Sequence, residues 1–448
     1  MLGKNPPLSD QIDMFRSKLS SIINMNHELI ILSEQIDWPG IEQQLSPLYS
    51  EIGRPSVPSR KMVGLLMLKR MFNQSDESVI DRWIENPYWQ YFTGEQYFQK
   101  RKPFDPSEFV HFRKRVGEEG LESLLAFTVK LHDKAEKEKE VQVDTTVQEK
   151  NITYPTDSKL AMKIIKRCWA ISKEQGTKQR QSYKRIVKQL MKDQYNGGHP
   201  KRAKKARKAR KKLRTLAGRL IRELERELSC EGLEKYQEAL ALYARVINQK
   251  RGDKNKIYSL HETEVSCIAK GKAHKKYEFG SKVAIVRGAQ TGVITGAKSF
   301  KGNPHDSKTL QGALSQSTKV RVQAGGCSPR TAITDRGFRG VKQVEGVKIE
   351  IPTNGHGATK YQKAKNRKRF RSRAGIEPVI GHIKHDHRML RNFLKGVGGD
   401  INNALLAAVG YNLKKKLNEI RTLIDIIFKN LLHLIIRKKQ IEILEIGF

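Results

Sequence analysis

Cysteine is scarce in this sequence, with four residues among 448 and no Cys-x2-Cys pair. That spacing argues against a zinc knuckle or a disulfide framework and favours reduced thiols. The N-terminus lacks the basic start and apolar run of an export signal. The most apolar stretch, Leu423–Ile436, is broken by Asp425, Lys429 and His433. We therefore expect a cytoplasmic protein with no membrane span.

Acidic residues are few relative to basic ones. The sequence has 86 lysines and arginines against 47 acidic residues, a net charge of +39. This excess is far larger than solubility requires. Because such a chain binds polyanions through counterion release, the composition predicts a nucleic-acid partner. The length predicts roughly two to four domains.

The first third of the chain has the pattern of short amphipathic helices. Apolar residues recur at helical spacing over Ser59–Phe72, and Ser75 is placed to cap a second helix. A further helix start at Asp105, with Glu108 three residues on, resembles a capping box. The first two helices, joined at 73–74, are compatible with a DNA-reading helix-turn-helix and equally with plain packing.

The next segment changes from a strand to a very basic helical region. The β-branched alternation of VQVDTTV predicts a strand, and the pattern from about 157 to 256 is helical. Within it, Lys201–Arg214 is ~70% positive, which predicts a contact along a phosphate backbone; a solvated, partly disordered arm is the alternative. The DNA-binding residues predicted here are Lys201, Arg202, Lys204, Lys205, Arg207, Lys208, Arg210, Lys211 and Lys212.

Strand patterns return after Lys256. Three segments, YSLHETEVSCIAKG, YEFGSKVAIV and GVITGAKSF, are separated by glycines and predict a meander. A helical stretch at 306–320, the strand RTAITD ending at Asp335, the strand VKIEIP and a helix-rich region from about Lys360 follow. This order of elements predicts a mixed α/β fold.

Three acidic residues occupy positions suited to a metal site. Asp144 interrupts a strand, where aspartate is disfavoured unless it binds a partner or faces solvent. Asp335 closes another strand, and on its own it could simply start a turn. Glu377 lies beside an apolar helical stripe formed by Ile376, Val379, Ile380 and Ile383. Taken singly, a solvated strand face explains Asp144 and a solvent-facing position explains Glu377.

Taken together, the three carboxylates predict a site for divalent cations. Mg²⁺ prefers hard oxygen ligands and takes one or two carboxylates each, so three acids fit two ions. If the strands carrying Asp144 and Asp335 are parallel neighbours, their carboxylates project side by side, and the helix after the last strand can bring Glu377 to them. The histidines of HIKHDH lack the i, i+4 spacing of a helical zinc site.

The spacing around Glu377 resembles a known family. Phe370, Arg373, Glu377 and Lys384 match Tyr-x2-Arg-x3-Glu-x6-Lys, the signature of the DDE transposases typified by insertion sequences four and five, with phenylalanine replacing tyrosine. The block GIEPVIGHIKHDHRMLRNFLKGVGGDINNALLAAVGYN is similar to the catalytic-helix block of the five-like group. NITYPTD and KGKAHKKYEFG are similar to its other blocks. The resemblance covers nearly the whole chain.

The resemblance implies a domain plan. It implies a ribonuclease H-like catalytic domain over 136–412, interrupted by a basic helical insertion at about 157–256. An N-terminal helical domain over 1–135 is expected to bind DNA, and a C-terminal helix over 413–448 to pack or dimerise.

The resemblance also implies a chemistry. Asp144, Asp335 and Glu377 would be ligands of two Mg²⁺ (or Mn²⁺) ions, and Arg373 and Lys384 would lie near the DNA ends. The expected reaction is metal-dependent cleavage and strand transfer of the ends of an insertion sequence. Expected partners are double-stranded DNA of element ends and target, and further copies of the chain, at least a homodimer when two ends are synapsed.

Two other functions remain open from the sequence. A ribonuclease H-like nuclease could cut without joining, and a non-enzymatic basic protein could bind nucleic acid by charge alone. The ordered acids favour the transposase. We expect a bacterial or archaeal cytoplasmic protein associated with the nucleoid.

Overall fold

The computed structural model describes residues 17–50, 52–53, 55–177, 179–250, 252–269, 276–352 and 359–446. The chain divides into two compact units. Unit 1 combines the segment up to Glu149 with the segment from Lys282 onward, and unit 2 is Lys150–Ser281. Within the described ranges, none of the helices has the length and apolarity required to cross a membrane.

The part of unit 1 ahead of the first strand is helical. Its helices are α1 (Leu19–Ile22), α2 (Glu28–Gln35), α3 (Trp38–Leu45), α4 (Ser59–Met71), α5 (Asp76–Glu85), α6 (Pro87–Phe92) and α7 (Glu108–Lys130). The predictions of a helix over Ser59–Phe72 and of Ser75 as the cap of the next helix are confirmed. The capping box at Asp105 is wrong, because its Oδ1 accepts a hydrogen bond from Ser107 N (2.9 Å) in a turn before α7 begins.

Strand β1 (Glu140–Lys150) contains the predicted VQVDTTV segment, and unit 2 follows it. The elements of unit 2 are α8 (Asp157–Glu174), α9 (Lys184–Asp193), α10 (Pro200–Glu227), α11 (Cys230–Asn248), β2 (Ser266–Ala269) and the beginning of β3 (Tyr277–Gly288). Helix α10 contains the basic run. It buries Ala206, Ala209, Leu213 and Leu216 at helical spacing in a core shared with α8 and α9. A folded amphipathic helix is therefore favoured over a partly disordered arm.

The sheet of unit 1 continues from β3. Its further elements are β4 (Ile294–Phe300), α12 (Asp306–Gln323), β5 (Thr331–Ile333), β6 (Gln343–Val344) and β7 (Val347–Glu350). The strand order in unit 1 is β4-β3-β1-β5-β7-β6. Strands β1, β5 and β7 are parallel to one another, whereas the β3–β4 and β6–β7 pairs are antiparallel. The predicted β2–β3–β4 meander and the mixed α/β fold are confirmed.

The central strands of unit 1 are apolar on both faces. In β3, Val283 and Ile285 belong to the core that includes α4, α7 and α12, and Ala284 and Val286 belong to a second core with Val141 of β1. This alternation follows the two-residue period of a strand. The strand that carries Asp144 therefore lies inside the sheet, with helices packed against it.

The C-terminal part of unit 1 is helical again. It contains α13 (Lys360–Arg373), α14 (Ile376–His385), the short strand β8 (Arg391–Asn392) and α15 (Gly396–Ile446). The predicted start of a separate C-terminal helix at 413 falls inside α15. Most apolar residues of α15 from Ala404 to Ile420 are buried against α4 and α7, and from Leu423 to Ile436 its apolar residues are exposed, except for the half-buried Ile424.

Candidate active site

Asp144 lies in β1, and Asp335 lies just past the end of the parallel strand β5. In the β1–β5 pair, Gln142 is opposite Ile333, and each aspartate comes two residues later in the chain. Side chains two residues apart project to the same face of a strand. The sequence-based expectation that these strands are parallel neighbours is confirmed, and their register brings the two aspartates side by side.

One guanidinium group contacts both aspartates. Arg373 Nη2 donates to Asp144 Oδ2 at 3.1 Å and lies 3.9 Å from Asp335 Oδ2. The two carboxylate oxygens are thus no farther apart than the sum of these distances. All three side chains are partly shielded, with relative exposures of 16% for Asp144, 37% for Asp335 and 19% for Arg373. The site is a half-buried pair of acids with a cation between them.

The local backbone orients Asp335. It precedes the 3-10 turn Arg336–Phe338, and its Oδ1 accepts a hydrogen bond from Gly337 N at 2.8 Å. Its Oδ2 is the oxygen that faces Arg373. Asp335 therefore starts a turn, as an isolated aspartate in this position could. The same carboxylate also lies beside Asp144, with Arg373 in contact with both.

The segment between α13 and α14 is held against β1 and β3. Arg287 Nε donates to Gln142 Oε1 at 2.8 Å, and Gln142 Nε2 lies 3.4 Å from Ser372 Oγ. A Cβ on Gly375 would lie 2.6 Å from Arg287 Nη2, closer than atoms approach without moving. Glycine at this position allows the chain to pass the Arg287 side chain and so places Arg373 over the aspartates.

Glu377 lies in the first turn of α14 and its side chain is exposed. The predicted apolar stripe is present, because Ile376, Val379 and Ile383 are buried. Over the described ranges no three His, Cys, Asp or Glu residues are grouped so that they could hold a metal ion. The structure thus brings Asp144 and Asp335 together around Arg373, and the assignment of Glu377 to the same site stays a prediction.

A further carboxylate, which the sequence analysis did not single out, lies beside the pair. Asp306, the first residue of α12, accepts hydrogen bonds from Thr145 Oγ1 and Lys282 Nζ, both at 2.9 Å. A Cβ on Gly337 would lie 3.0 Å from Asp335 Oδ1 and 3.1 Å from Asp306 Oδ2. A helix-starting aspartate is common, and no local signal distinguishes this one.

Carboxylates in this arrangement suit divalent cations. The donors are oxygens, as Mg²⁺ and Mn²⁺ prefer, and two of them already share one positive group. Arg373 Nε is buried and has no hydrogen-bond partner in the part of the chain described. The Arg373 guanidinium therefore has one unused hydrogen-bond donor in this position. The oxygen atoms of the two aspartates are suitable ligands for a divalent cation.

The predicted DNA-binding residues of the basic run form one exposed surface. All nine are exposed on α10, on the side away from its buried alanines and leucines. Lys205 also lies 3.0 Å from Asp193, and Arg202 Nη1 donates to Tyr195 O. Lys384 is half-buried on α14. The structure places this basic surface in unit 2 and the aspartate pair in unit 1.

The burial and charge of α4 and α5 indicate that these two helices pack together rather than read DNA. Most of α4 is buried. Helix α5, which would enter the groove, exposes Glu77, Asp81, Arg82 and Glu85. Three of these four exposed side chains are acidic, which favours packing for this pair of helices. DNA binding by the N-terminal helical domain stays a prediction.

The histidines of HIKHDH have separate environments. His387 is buried, its Nδ1 lies 2.9 Å from Arg70 O, and burial lowers the pKa of its ring. His382 is exposed and its Nδ1 lies 2.7 Å from Asp386 Oδ2. His387 thus has a structural role in the core, and His382 faces solvent.

Two protein families match separate parts of the chain. The family described as Transposase domain (DUF772) matches residues 17–115, and the family described as Transposase DDE domain matches residues 252–413. The second match includes Asp335 and Glu377 and begins after Asp144. Neither description names a group within these transposases.

A curated relative is also similar to part of the chain. It is described as uncharacterized protein ORF8 in nfe locus, from Rhizobium meliloti, and is 41% identical over 187 residues, which is 41% of this chain and 90% of that protein. No solved structure is significantly similar to the chain. With a transposase domain followed by a DDE domain that contains one of the paired aspartates, the chain belongs to the DDE transposases of insertion sequences.

Proposed function

We propose that this transposase binds the terminal inverted repeats of its own insertion sequence, cleaves the DNA at those ends and joins them to target DNA. The observation that supports the proposal is the parallel pairing of β1 with β5, together with the contacts of Arg373 with both Asp144 and Asp335. The match of Arg373, Glu377 and Lys384 to the family signature adds the third acid and two basic groups. We assign the chain to the five-like group on its sequence blocks.

The catalytic domain of this proposal is ribonuclease H-like, with the basic helical insertion after its first strand. The order β4-β3-β1-β5-β7 supports it, since the first strand is central and the acids lie on β1 and just after β5. Helices α13 and α14 follow the last strands and carry Arg373 and Glu377.

In this proposal Asp144, Asp335 and Glu377 hold two Mg²⁺ or Mn²⁺ ions. When bound, such ions prepare water or a DNA 3′-hydroxyl for in-line attack on a phosphodiester and stabilise the leaving oxygen. The chain orients the acids: Gly337 N holds one oxygen of Asp335, and Thr145 N donates to Asp144 Oδ1 at 2.7 Å. Each aspartate keeps its other oxygen toward Arg373.

DNA contacts are assigned to the basic surfaces. The exposed lysines and arginines of α10 would follow the phosphate backbone, because this contact needs charge and no base reading. Arg373 and Lys384 would lie near the cleaved ends. Acting on chromosomal DNA, the protein would work in the cytoplasm with the nucleoid.

We also propose at least a homodimer in the synaptic state. The end of α15 supports this, because nine apolar residues between Leu423 and Ile436 are exposed along it, between 46% and 67% each. Monomeric proteins rarely expose contiguous apolar patches of this kind. A second copy that presents the same helix would cover them.

Nicking of a labelled element end in Mg²⁺ tests the assignment of the acids. Asp335→Asn should abolish cleavage and leave duplex binding within about twofold, because binding depends on the basic surfaces. Asp133→Asn, an exposed aspartate ahead of β1, is the matched control and should cut normally. Retained nicking by Asp335→Asn would refute the proposed site.

The same assay separates the alternative functions. A non-enzymatic binder would shift the labelled DNA and never cut it. A nuclease that does not join would nick the ends and yield no product linked to target DNA, whereas we expect strand-transfer products from this chain.

A further inference from the structure

Unit 2 contains an open groove that the transposase chemistry does not use. It has a volume of about 850 Å³ and lies between α8, α9 and the start of α10. Its apolar floor includes Trp169 of α8 and Met191 of α9. Such a groove, with an aromatic side chain at its base, is a candidate ligand site.

The aromatic side chains of the groove are available to a ligand. Trp169 is half-buried, and its Nε1 is enclosed without a hydrogen-bond partner among the residues described. Lys184 Nζ lies 5.9 Å from the centroid of the Trp169 ring. Tyr195, at one end of the groove, is 76% exposed. A planar ring with a lysine beside it thus belongs to the lining of the groove.

The rim of the groove is basic. Lys184, Lys188 and Lys192 stand at i, i+4 and i+8 of α9 and are all exposed. This spacing forms one row along the helix, with roughly 6 Å between successive lysines. Lys166 and Arg202 complete the rim, and none of the described residues that line the groove is acidic.

We propose that this groove binds unpaired nucleotides of a DNA strand, with a base stacked on Trp169 and the phosphates along the lysine row. Aromatic rings at the base of a positively charged groove are the general means of holding single strands. A duplex keeps its base faces inside the stack, so its phosphates can reach the rim while its bases cannot reach the floor. The inference goes beyond the duplex contacts proposed for α10 and does not depend on cleavage at the aspartate pair.

Tryptophan fluorescence of the full chain can follow this site. The sequence has four tryptophans, and Trp38, Trp83 and Trp89 are buried in unit 1, with exposures of 6%, 1% and 4%. Trp169 is therefore the one that a ligand can reach. A short oligothymidylate should quench the emission, whereas an abasic strand of the same length and a matched duplex should bind with little quenching.

Variants of Trp169 separate stacking from charge. Trp169→Ala should weaken oligothymidylate binding roughly 5- to 150-fold, as expected for one lost stacking contact, and leave abasic-strand binding within about twofold. Trp169→Phe should retain most of the affinity but lose the quenching. Circular dichroism checks the folding of each variant. If the alanine variant is unfolded, the phenylalanine variant, which preserves the apolar contact, is compared with the parent chain instead.

The lysine row has its own matched control. Lys188→Gln with Lys192→Gln should weaken the binding of oligothymidylate and abasic strand more than Lys211→Gln with Lys212→Gln, which removes equal charge from α10 outside the groove. Equal effects of the two pairs would overturn the proposal. Equal quenching by the duplex, or oligothymidylate binding by Trp169→Ala as tight as that of the parent chain, would also overturn it.

Discussion

Arg373 donates a hydrogen bond from Nη2 to Asp144 Oδ2 at 3.1 Å, although 229 positions separate the two residues in the sequence. The same nitrogen is 3.9 Å from Asp335 Oδ2. The guanidinium thus lies where a cation would be attracted by both carboxylates. In the proposed metal site, a divalent ion would compete with this arginine for the same oxygens, because like charges repel at such distances.

Removal of that arginine should therefore strengthen divalent-ion binding in the absence of DNA. We expect Arg373→Gln to bind Mn²⁺ roughly tenfold more tightly. This factor corresponds to ~1.4 kcal/mol, a modest fraction of the Coulomb energy of two unit charges at this distance near a protein surface. Titration calorimetry measures the change. Arg371→Gln, an exposed arginine of the same helix, should leave the affinity unchanged. Equal or weaker binding by Arg373→Gln would rule out this competition.

The close passage at Gly375 should be sensitive to a single methyl group. Gly375→Ala would place a Cβ 2.6 Å from Arg287 Nη2, so Arg287 or the α13–α14 segment must shift. Because the nearest atom is the end of a flexible side chain, we expect a loss of about 1 kcal/mol in the free energy of unfolding, the low end for overpacked positions. Urea titration provides the measurement.

A glycine inside α14 provides the matched control. A Cβ on Gly381 would meet no atom within 4 Å. Gly381→Ala should therefore be neutral or stabilise the protein by up to ~1 kcal/mol through helix propensity. If the two alanine variants were equally stable, the contact with Arg287 would have no energetic importance.

The partly shielded Asp76 should contribute strongly to the stability of unit 1. Its carboxylate accepts hydrogen bonds from Arg113 Nη1 at 2.9 Å and Nη2 at 3.0 Å, and from Lys69 Nζ at 2.5 Å. The Arg113 side chain is 4% exposed. Asp76→Asn leaves two shielded cations without a counter-charge, and we expect a loss of about 3 to 5 kcal/mol in unfolding free energy.

An exposed ion pair is the control for that substitution. Asp81 pairs with Lys102 at 2.9 Å, and both side chains are more than half exposed, at 57% and 59%. Asp81→Asn should change the unfolding free energy by less than about 1 kcal/mol. A similar small effect of Asp76→Asn would contradict the role assigned to Asp76.

The same carboxylate predicts an acid dependence. Although burial raises the pKa of Asp76, hydrogen bonds and charge from Arg113 and Lys69 outweigh it and lower that pKa from 3.8 to about 2. The stabilisation is complete above the unfolded-state pKa and is lost as the pH falls from about 4 through about 2, because the unfolded chain binds the proton first. Unfolding curves of the parent chain and Asp76→Asn should converge over that interval. A constant difference would contradict the assignment.

If α10 binds the DNA backbone, loss of its lysines should reduce the salt dependence of duplex binding. Lys204→Gln with Lys208→Gln should make the slope of log affinity against log salt less steep by about 2, one counterion for each lost phosphate contact. Fluorescence anisotropy over a salt series gives the slope. The matched pair Lys114→Gln and Lys130→Gln, also exposed, lies on α7 of unit 1. Equal slopes in the two double variants would remove α10 from the DNA interface.

Local patterns in the sequence predicted individual elements well. Apolar spacing identified α4, serine chemistry identified the cap of α5, and β-branched alternation identified β1. These features depend on residues a few positions apart, which is the range that hydrophobic periodicity and capping report. The pattern at Asp105 failed because its side chain forms a turn with Ser107 ahead of the helix.

The candidate site was only partly predictable, because its contacts join residues that are far apart in the sequence. Strand patterns located Asp144 and Asp335, but Asp306 lies beside them and is held by hydrogen bonds from Thr145 and Lys282, which no sequence spacing predicts. Similarly, Arg113 and its neighbours Lys114 and Arg115 form one basic run in the sequence, yet only Arg113 is buried. Burial of a charge depends on a partner that comes from a distant part of the chain.

The sequence by itself determined the charge, the helical and strand periods and the family signature, because each is written in composition or in short spacing. Only the tertiary structure decided that β1 and β5 pair in the register that sets Asp144 beside Asp335 and that Arg373 lies between them. Strand register and long-range ion pairs depend on how complete elements pack together, and local propensity carries no information about that choice.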